Sequence, residues 1–433
     1  MQIKREKYLN ELIKRKNNSL IKVITGLRRS GKSYLLNNIF KMHLLEQGVS
    51  ESQIISFSFD NLEHIMRLDK YLPKEDTLFY DSKKNYLVNP KKFILYINEL
   101  TKENDYYYLL LDEIQLLDNF VFVLNGLLSH NNFDIYVTGS NSKMLSKDII
   151  TEFRGRGDQI SVFPLSFKEF YDSVNLSFEE AYFRYQTFGG MPYLINIDEP
   201  ERKFKYLKEL FSEIYIKDIT ERNGIKDIDL FEKLLCILSS SIGSYTNPLK
   251  LEKTFKSVDN LTYGHVTIKN HIEFIKDSFL ISESNRYDIR GKKYIGSLSK
   301  YYFTDIGLRN ALINFRQDEP THIMENIIYN ELLIRGYNVD VGIVEINERN
   351  EDGKYVRKQL ETDFICSNIT EKIYIQSVYS MENLAKLNQE KKSLINIKDN
   401  FRKIIIVKDS IQRYFTEEGI EVISLKEWLL GDY

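Results

Sequence analysis

Residues 26–33 read Gly26-Leu27-Arg28-Arg29-Ser30-Gly31-Lys32-Ser33, which fits Gly-x-x-x-x-Gly-Lys-[Ser/Thr] without a gap. The apolar run before it, Ile21–Thr25, has the composition of a buried strand, and Lys32–Gln47 after it has helical spacing. Glycines at both ends let the backbone curl so that N–H groups point at an anion beside the positive end of a helix. In such a pattern Lys32 reaches the outer phosphates of a nucleotide and the Ser33 hydroxyl binds Mg2+. Gly26, Leu27, Arg28, Arg29, Ser30, Gly31, Lys32, Ser33 and Tyr34 are therefore the candidate nucleotide-binding residues. Arg28 and Arg29, inside the loop, are expected to pack or to form salt bridges.

A second element follows some eighty residues later. Tyr106-Tyr107-Tyr108-Leu109-Leu110-Leu111-Asp112-Glu113 is a buried-strand pattern that ends in two carboxylates. At the C-terminal end of a strand beside the phosphate loop, Asp112 is placed to hold magnesium with Ser33, and Glu113 to polarise an attacking water. A third strand, Asp134–Thr138, runs into Gly139-Ser140-Asn141-Ser142. Asn141 is a candidate sensor of the terminal phosphate, with turn or helix-cap bonding as the equal alternative. Arg154 and Arg156, just beyond, are candidate arginine fingers in cis or in a neighbouring subunit, or else solvated loop residues.

Around these motifs the chain alternates strand-like runs with helical patterns up to about residue 160, as βαβ units do. With 433 residues it exceeds one ordinary domain, and 42% hydrophobic against 28% charged residues lets it bury real cores. Its 60 Lys+Arg and 62 Asp+Glu leave a formal charge of −2, which excludes a uniformly basic nucleic-acid coat. Cys236 and Cys366 are too few for a disulfide framework and fit a reducing, cytoplasmic location. No apolar run approaches the roughly 18 residues of a membrane span, so no membrane partner is expected. The six histidines show no metal-ligand spacing.

Taken together, these residues resemble prokaryotic AAA-type ATPases with a C-terminal region of unknown function. The resemblance rests on Gly26–Ser33, Leu111-Asp112-Glu113-Ile114-Gln115, Thr138–Ser142 and the stretch Phe163–Phe170. Gly189-Gly190-Met191-Pro192, Lys217-Asp218-Ile219 and Tyr302-Phe303-Thr304-Asp305-Ile306-Gly307-Leu308 extend it over nearly the whole chain. The phosphate loop reads phosphates and not the base, so the motif leaves GTP open, and ATP as the nucleotide is what the resemblance implies. The resemblance also implies Mg2+-dependent hydrolysis, with Lys32, Ser33, Asp112 and Glu113 in their usual roles and Asn141, Arg154 and Arg156 as accessory candidates.

The implied fold class is α/β: a P-loop NTPase parallel sheet with a helical lid, a winged helix and a small C-terminal α/β nuclease-like domain. The expected boundaries are an ATPase core at 1–160, a lid at 161–228, a winged helix at 229–315 and the nuclease-like domain at 316–433. Three helical segments and a hairpin pattern between Leu280 and Phe303 give the winged-helix order. Eleven Lys and Arg face seven carboxylates over residues 250–310. Thr267, Lys269, Asn270 and His271 suit a major groove, while Arg286, Arg290, Lys292 and Lys293 suit phosphates, so duplex DNA is a candidate partner. Binding of a protein partner, or self-association, is the competing use of such a domain.

The last region resembles the PD-(D/E)xK nuclease fold. Glu325 and Asp363 fit two acidic positions, but Gln376 and Val378 stand where a carboxylate and a lysine belong. Those losses weaken metal binding and water activation, so nuclease activity is not expected. The run Asn347–Lys358 reads as a solvated hairpin loop around Asp352-Gly353.

Overall fold

The computed structural model describes residues 3–80, 86–139, 153, 155–258, 263–316, 319–349, 355–380 and 384–431. It divides into two units, Met1–Pro164 and Leu165–Tyr433. Among the described residues, no helix is long and apolar enough to cross a membrane.

The first unit holds strands β1 (Ile21–Thr25), β2 (Ile54–Ser58), β3 (Leu78–Tyr80), β4 (Tyr86–Val88), β5 (Tyr107–Asp112), β6 (Phe133–Thr138) and β7 (Gly157–Ser161). Strands β3 and β4 form a separate small hairpin. The other five make a parallel sheet in the order β2-β5-β6-β1-β7. Every residue of β1, β5 and β6 is buried, as expected of central parallel strands covered on both faces. Alternate residues serve the two covers. Leu109, Leu111, Ile135 and Val137 pack on one side with Phe57 and Phe93, while Leu110 and Tyr136 pack on the other with Leu36 and Phe40. Strand β7, Gly-Asp-Gln-Ile-Ser, carries too little apolar signal to have been foreseen. It extends the core past residue 160: Phe163 donates its N–H to the Tyr8 hydroxyl at 3.1 Å, and its carbonyl accepts from Arg5 Nη2 at 2.6 Å. The boundary set at 160 therefore moves to Pro164.

The second unit opens with the helices Phe167–Asp172 and Phe178–Phe188, each started by a capping box from Ser166 or Ser177. Helical residues continue from Pro200 to Asn223 and stop at the left-handed Gly224. The helices Ile228–Ser240, Pro248–Val258 and His265–Asp277 then precede the hairpin of β8 (Ile281–Asp288) and β9 (Lys293–Phe303). Beyond it lie β10 (Asn338–Arg349), β11 (Tyr355–Ser367), β12 (Lys372–Val378), β13 (Arg402–Val407), β14 (Tyr414–Phe415) and β15 (Glu421–Ser424).

These eight strands form one sheet, ordered β14-β15-β13-β12-β11-β10-β8-β9. The pairing of β8 with β10 is parallel and joins Arg286, Tyr287 and Asp288 to Val341, Gly342 and Ile343. This corrects the boundary expected at 315/316: the hairpin leaves a strand edge that β10 fills, so the regions 229–315 and 316–433 share a sheet. The loop read at Asn347–Lys358 is largely the two strand ends of the β10–β11 hairpin, and residues 350–354 lie outside the described part.

Two sequence motifs without an assigned role meet inside this unit. Asp305 caps the helix Ile306–Leu312 by accepting from Leu308 N, and accepts from Gly190 N at 2.7 Å. Gly189, at φ +75°, and Gly307 are glycines for lack of room. A Cβ on Gly189 would stand 2.3 Å from Asp305 Oδ1, and one on Gly307 would stand 1.9 Å from the Phe188 carbonyl oxygen. Asn310 Nδ2 completes the joint by donating to the carbonyls of Gln186 and Thr187, at 2.9 and 3.0 Å. Burial pushes the Asp305 carboxyl up to about 6, opposed by the amides of Gly190, Leu308 and Gly307.

Candidate functional site

Strand β1 delivers the loop Gly26–Gly31 to the C-terminal edge of its sheet, and the helical run from Lys32 to Glu46 leads away from it. Gly26 sits at φ +139°, where a Cβ would meet the Val162 carbonyl at 2.0 Å, and Gly31 at φ +94° turns the chain into the helix. Leu27 and Ser30 are buried, while Arg28, Arg29, Ser33 and Tyr34 are exposed. Arg29 itself holds a left-handed φ of +62°.

Lys32 folds back onto the loop, donating from Nζ to the carbonyls of Gly26 and Leu27, both at 3.0 Å. Burial pushes its amine down to about 8, against the pull of Glu113 and Asp112 and helped by the positive charge of Arg28. Ser33 Oγ donates to Asp112 Oδ1 at 3.0 Å. The two oxygens expected to share Mg2+ are therefore adjacent, and hydroxyl and carboxylate are donors of the kind Mg2+ takes. The buried Ser30 hydroxyl has no hydrogen-bond partner among the described residues.

Thr138, the last residue of β6, completes the group. Its hydroxyl donates to Asp112 Oδ1 and accepts from Glu113 N at 3.3 Å. Burial raises the Asp112 carboxyl above its ordinary value, while the hydroxyls of Thr138 and Ser33 work the other way. Glu113 is half-buried with φ +52°, a costly conformation for a residue with a side chain, and Gln115 Nε2 donates to its carboxylate. The roles of Thr138 and Gln115 were missed from sequence. The available signal was a hydroxyl ending an otherwise apolar strand next to the Asp-Glu strand.

The accessory candidates fare differently. Asn141 and Arg154 lie outside the described residues. Arg156 is exposed and immediately precedes β7, its carbonyl accepting from Ile21 N at 2.8 Å. That is the N-terminal edge of the sheet, opposite the phosphate loop, about 16 Å away along a five-residue strand.

In the second unit, the helix His265–Asp277 exposes Thr267, Lys269 and Asn270. His271 does not join them; it hydrogen-bonds the Tyr263 hydroxyl and lies edge-on to Phe231 at 5.5 Å. Several of the eleven cations are also committed within the unit. Lys276 bridges Glu273 and Glu283, Arg286 donates to Gln359 Oε1 at 2.8 Å, and Lys300 and Arg309 are buried. Lys292 and Lys293 are exposed. At the nuclease-like positions, Asp363 Oδ2 accepts from Ser377 N and Ser377 Oγ at 2.8 and 2.7 Å. Gln376 bridges Asp363 N and Glu390. Burial, followed by the charge of Glu325, pushes the Asp363 carboxyl up to about 8.

Residues 18–171 match the family of the AAA domain, and residues 179–319 match a domain of unknown function, DUF8612. An uncharacterized protein of Haemophilus influenzae is 33% identical over 438 residues, covering 99% of this chain and 98% of its own length. A protein of Methanocaldococcus jannaschii is 29% identical over 428 residues, covering 94% of this chain and 85% of its own. Among solved structures, AMPPCP-bound DnaA from Aquifex aeolicus overlays 63% of this chain and 88% of its own, at 15% identity and a TM-score of 0.32. That score is too low for the overlay to carry an argument.

Proposed function

Because the chain belongs to the family of proteins that carry this AAA domain, we propose that it binds ATP with Mg2+ at the loop Gly26–Ser33 and hydrolyses it. One observation carries the proposal: Ser33 Oγ stands 3.0 Å from Asp112 Oδ1, with Lys32 and Glu113 beside them at the sheet's C-terminal edge. Mg2+ bound there supplies charge neutralisation at the phosphates. The protein's part is positional. Ser33 and Asp112 present the oxygen ligands. Lys32 leaves the carbonyls of Gly26 and Leu27 and offers its ammonium to the outer phosphates. Glu113, held by Gln115 and by its own N–H to Thr138, orients the water that attacks the terminal phosphorus and accepts its proton. Arg156, at the sheet edge opposite the phosphate loop, is placed for the phosphate of a second copy.

The output we favour is recognition or remodelling of DNA through the exposed Thr267, Lys269 and Asn270. A second reading, a slow ATP-dependent switch that binds a protein partner, draws on the withdrawal of Lys276, Arg286, Lys300 and Arg309 from the basic surface.

Steady-state ATP turnover with and without duplex DNA separates them, beside Lys32→Ala and Glu113→Gln. Turnover lost in both variants and raised several-fold by DNA supports the first output. A Lys269→Ala variant then weakens duplex binding across sequences and lowers the salt slope by about 1. Slow turnover indifferent to DNA supports the switch. A wild type that neither binds nor hydrolyses ATP overturns the proposal.

A further inference from the structure

The nuclease fold that the C-terminal region resembles holds a divalent cation between carboxylates, and the residues present here do not fit one. Among the described residues, no group of three or more His, Cys, Asp or Glu side chains is placed to hold a metal. The reason lies in a residue from outside that region. Lys300, on β9 of the hairpin, extends its ammonium between Glu325 Oε1 at 2.8 Å and Glu361 Oε1 at 2.7 Å. Glu325 comes from the helix Pro320–Ile334 and Glu361 from β11, two residues before Asp363 on the same face of that strand.

The group is enclosed. The side chains of Lys300 and Glu325 are 5% and 6% exposed, and Glu361 is 33% exposed. Tyr302 donates its hydroxyl to Glu325 Oε1 at 2.6 Å. The Tyr245 ring lies 5.6 Å from Lys300 Nζ and 5.1 Å from the Arg286 guanidinium. The loop carrying Tyr245 comes close enough that a Cβ on Gly243 would stand 3.2 Å from Glu325 Oε2. A phosphodiester has no approach to a lysine covered in this way.

We infer that Lys300 is the resident cation of this site: its ammonium neutralises Glu325 and Glu361 where the resembled fold would hold a divalent metal, and so fastens the β8–β9 hairpin to the C-terminal strands. The site is thereby one of assembly. The lysine absent at Val378 is not simply lost, because a cation reaches the same cluster from another strand.

The test is thermal melting of the full-length protein in an Asp112→Asn background, which removes the metal ligand at the phosphate loop, with and without millimolar MnCl2. The background protein is expected to melt at the same temperature in Mn2+ and in EDTA. Lys300→Met leaves the buried Glu325 and the partly exposed Glu361 without this counter-charge, and its melting temperature is expected to fall by roughly 10 °C. Lys300→Met with Glu325→Gln is expected to recover about half of that loss, and it serves as the readout if the single variant does not fold. A single variant that melts like its background, or a double variant no better than the single, overturns the inference. So does Mn2+-dependent DNA cleavage by the wild type that Asp363→Asn abolishes.

Discussion

Replacing Thr138 by valine keeps the shape of β6 and removes one hydroxyl from the phosphate-loop site. That hydroxyl is one of two that donate to Asp112 Oδ1, and Asp112 is only 6% exposed. A hydrogen bond to a charged group contributes about 1.5–3 kcal/mol. At about 1.4 kcal/mol per tenfold, its loss corresponds to roughly 10- to 140-fold in any equilibrium that needs Asp112 ionised and in place. On the proposed function, magnesium-supported ATP binding is such an equilibrium, whereas ATP binding in EDTA is not. The expected result is a Thr138→Val protein whose Mg2+ dependence of turnover shifts to higher concentration by at least tenfold, with metal-free ATP affinity changed little. Thr138→Ser should behave as wild type. A pH signature goes with it. Burial already holds the folded Asp112 pKa above its unfolded value, so its ionisation costs stability as pH rises through that interval. Removing the hydroxyl enlarges this cost, so the variant's stability deficit should close when pH falls below the folded pKa. Wild-type Mg2+ dependence in Thr138→Val, or a deficit that ignores pH, would refute the reasoning.

Two further outcomes follow from the geometry. The Lys32 amine is held down to about 8, below its unfolded value, so the unfolded chain binds more protons between the two and stability rises with pH there. If the proposed role of Lys32 holds, ATP needs the ammonium, and its affinity should fall as pH is raised above about 8, by up to about tenfold per unit, measured by equilibrium titration. Lys32→Gln should bind weakly and show no such slope. In the second unit, Gly307→Ala sets a methyl 1.9 Å from the Phe188 carbonyl oxygen, where only backbone can give way. A loss of about 3 kcal/mol, read by denaturant unfolding, is expected, and an unchanged midpoint would show that the joint at Asp305 is looser than its distances.

The parts legible in the sequence were those in which local chemistry and fold agree. The loop Gly26 to Ser33 shows its glycines in the sequence itself, and Tyr107–Asp112 is apolar because a central strand is covered on both faces. Strand β7 was illegible for the opposite reason. Gly157-Asp158-Gln159-Ile160-Ser161 forms a strand because β1 offers it an edge, and its own pattern carries no period. Long-range partnership likewise hid Thr138, whose hydroxyl matters only once β6 lies beside β5. The same holds for Lys300 and Arg286, which read as a basic surface by composition and turn out to be spoken for by Glu325, Glu361 and Gln359. Gly189, Gly190 and Asp305 were visible as motifs but not as one joint, since 115 residues separate the amide of Gly190 from its acceptor.

The parallel pairing of β8 with β10 decides how this chain can be divided. Residues 229–315 expressed alone would present the outer edge of β8 to solvent, with donors and acceptors ready to recruit a strand from any neighbouring molecule. Residues 316–433 alone would expose the facing edge of β10 in the same way. Neither piece is then a portable module. A lineage that exchanged one for a foreign counterpart would have to exchange the other with it, so the two are bound to be inherited together, and cuts that respect the molecule fall near Pro164.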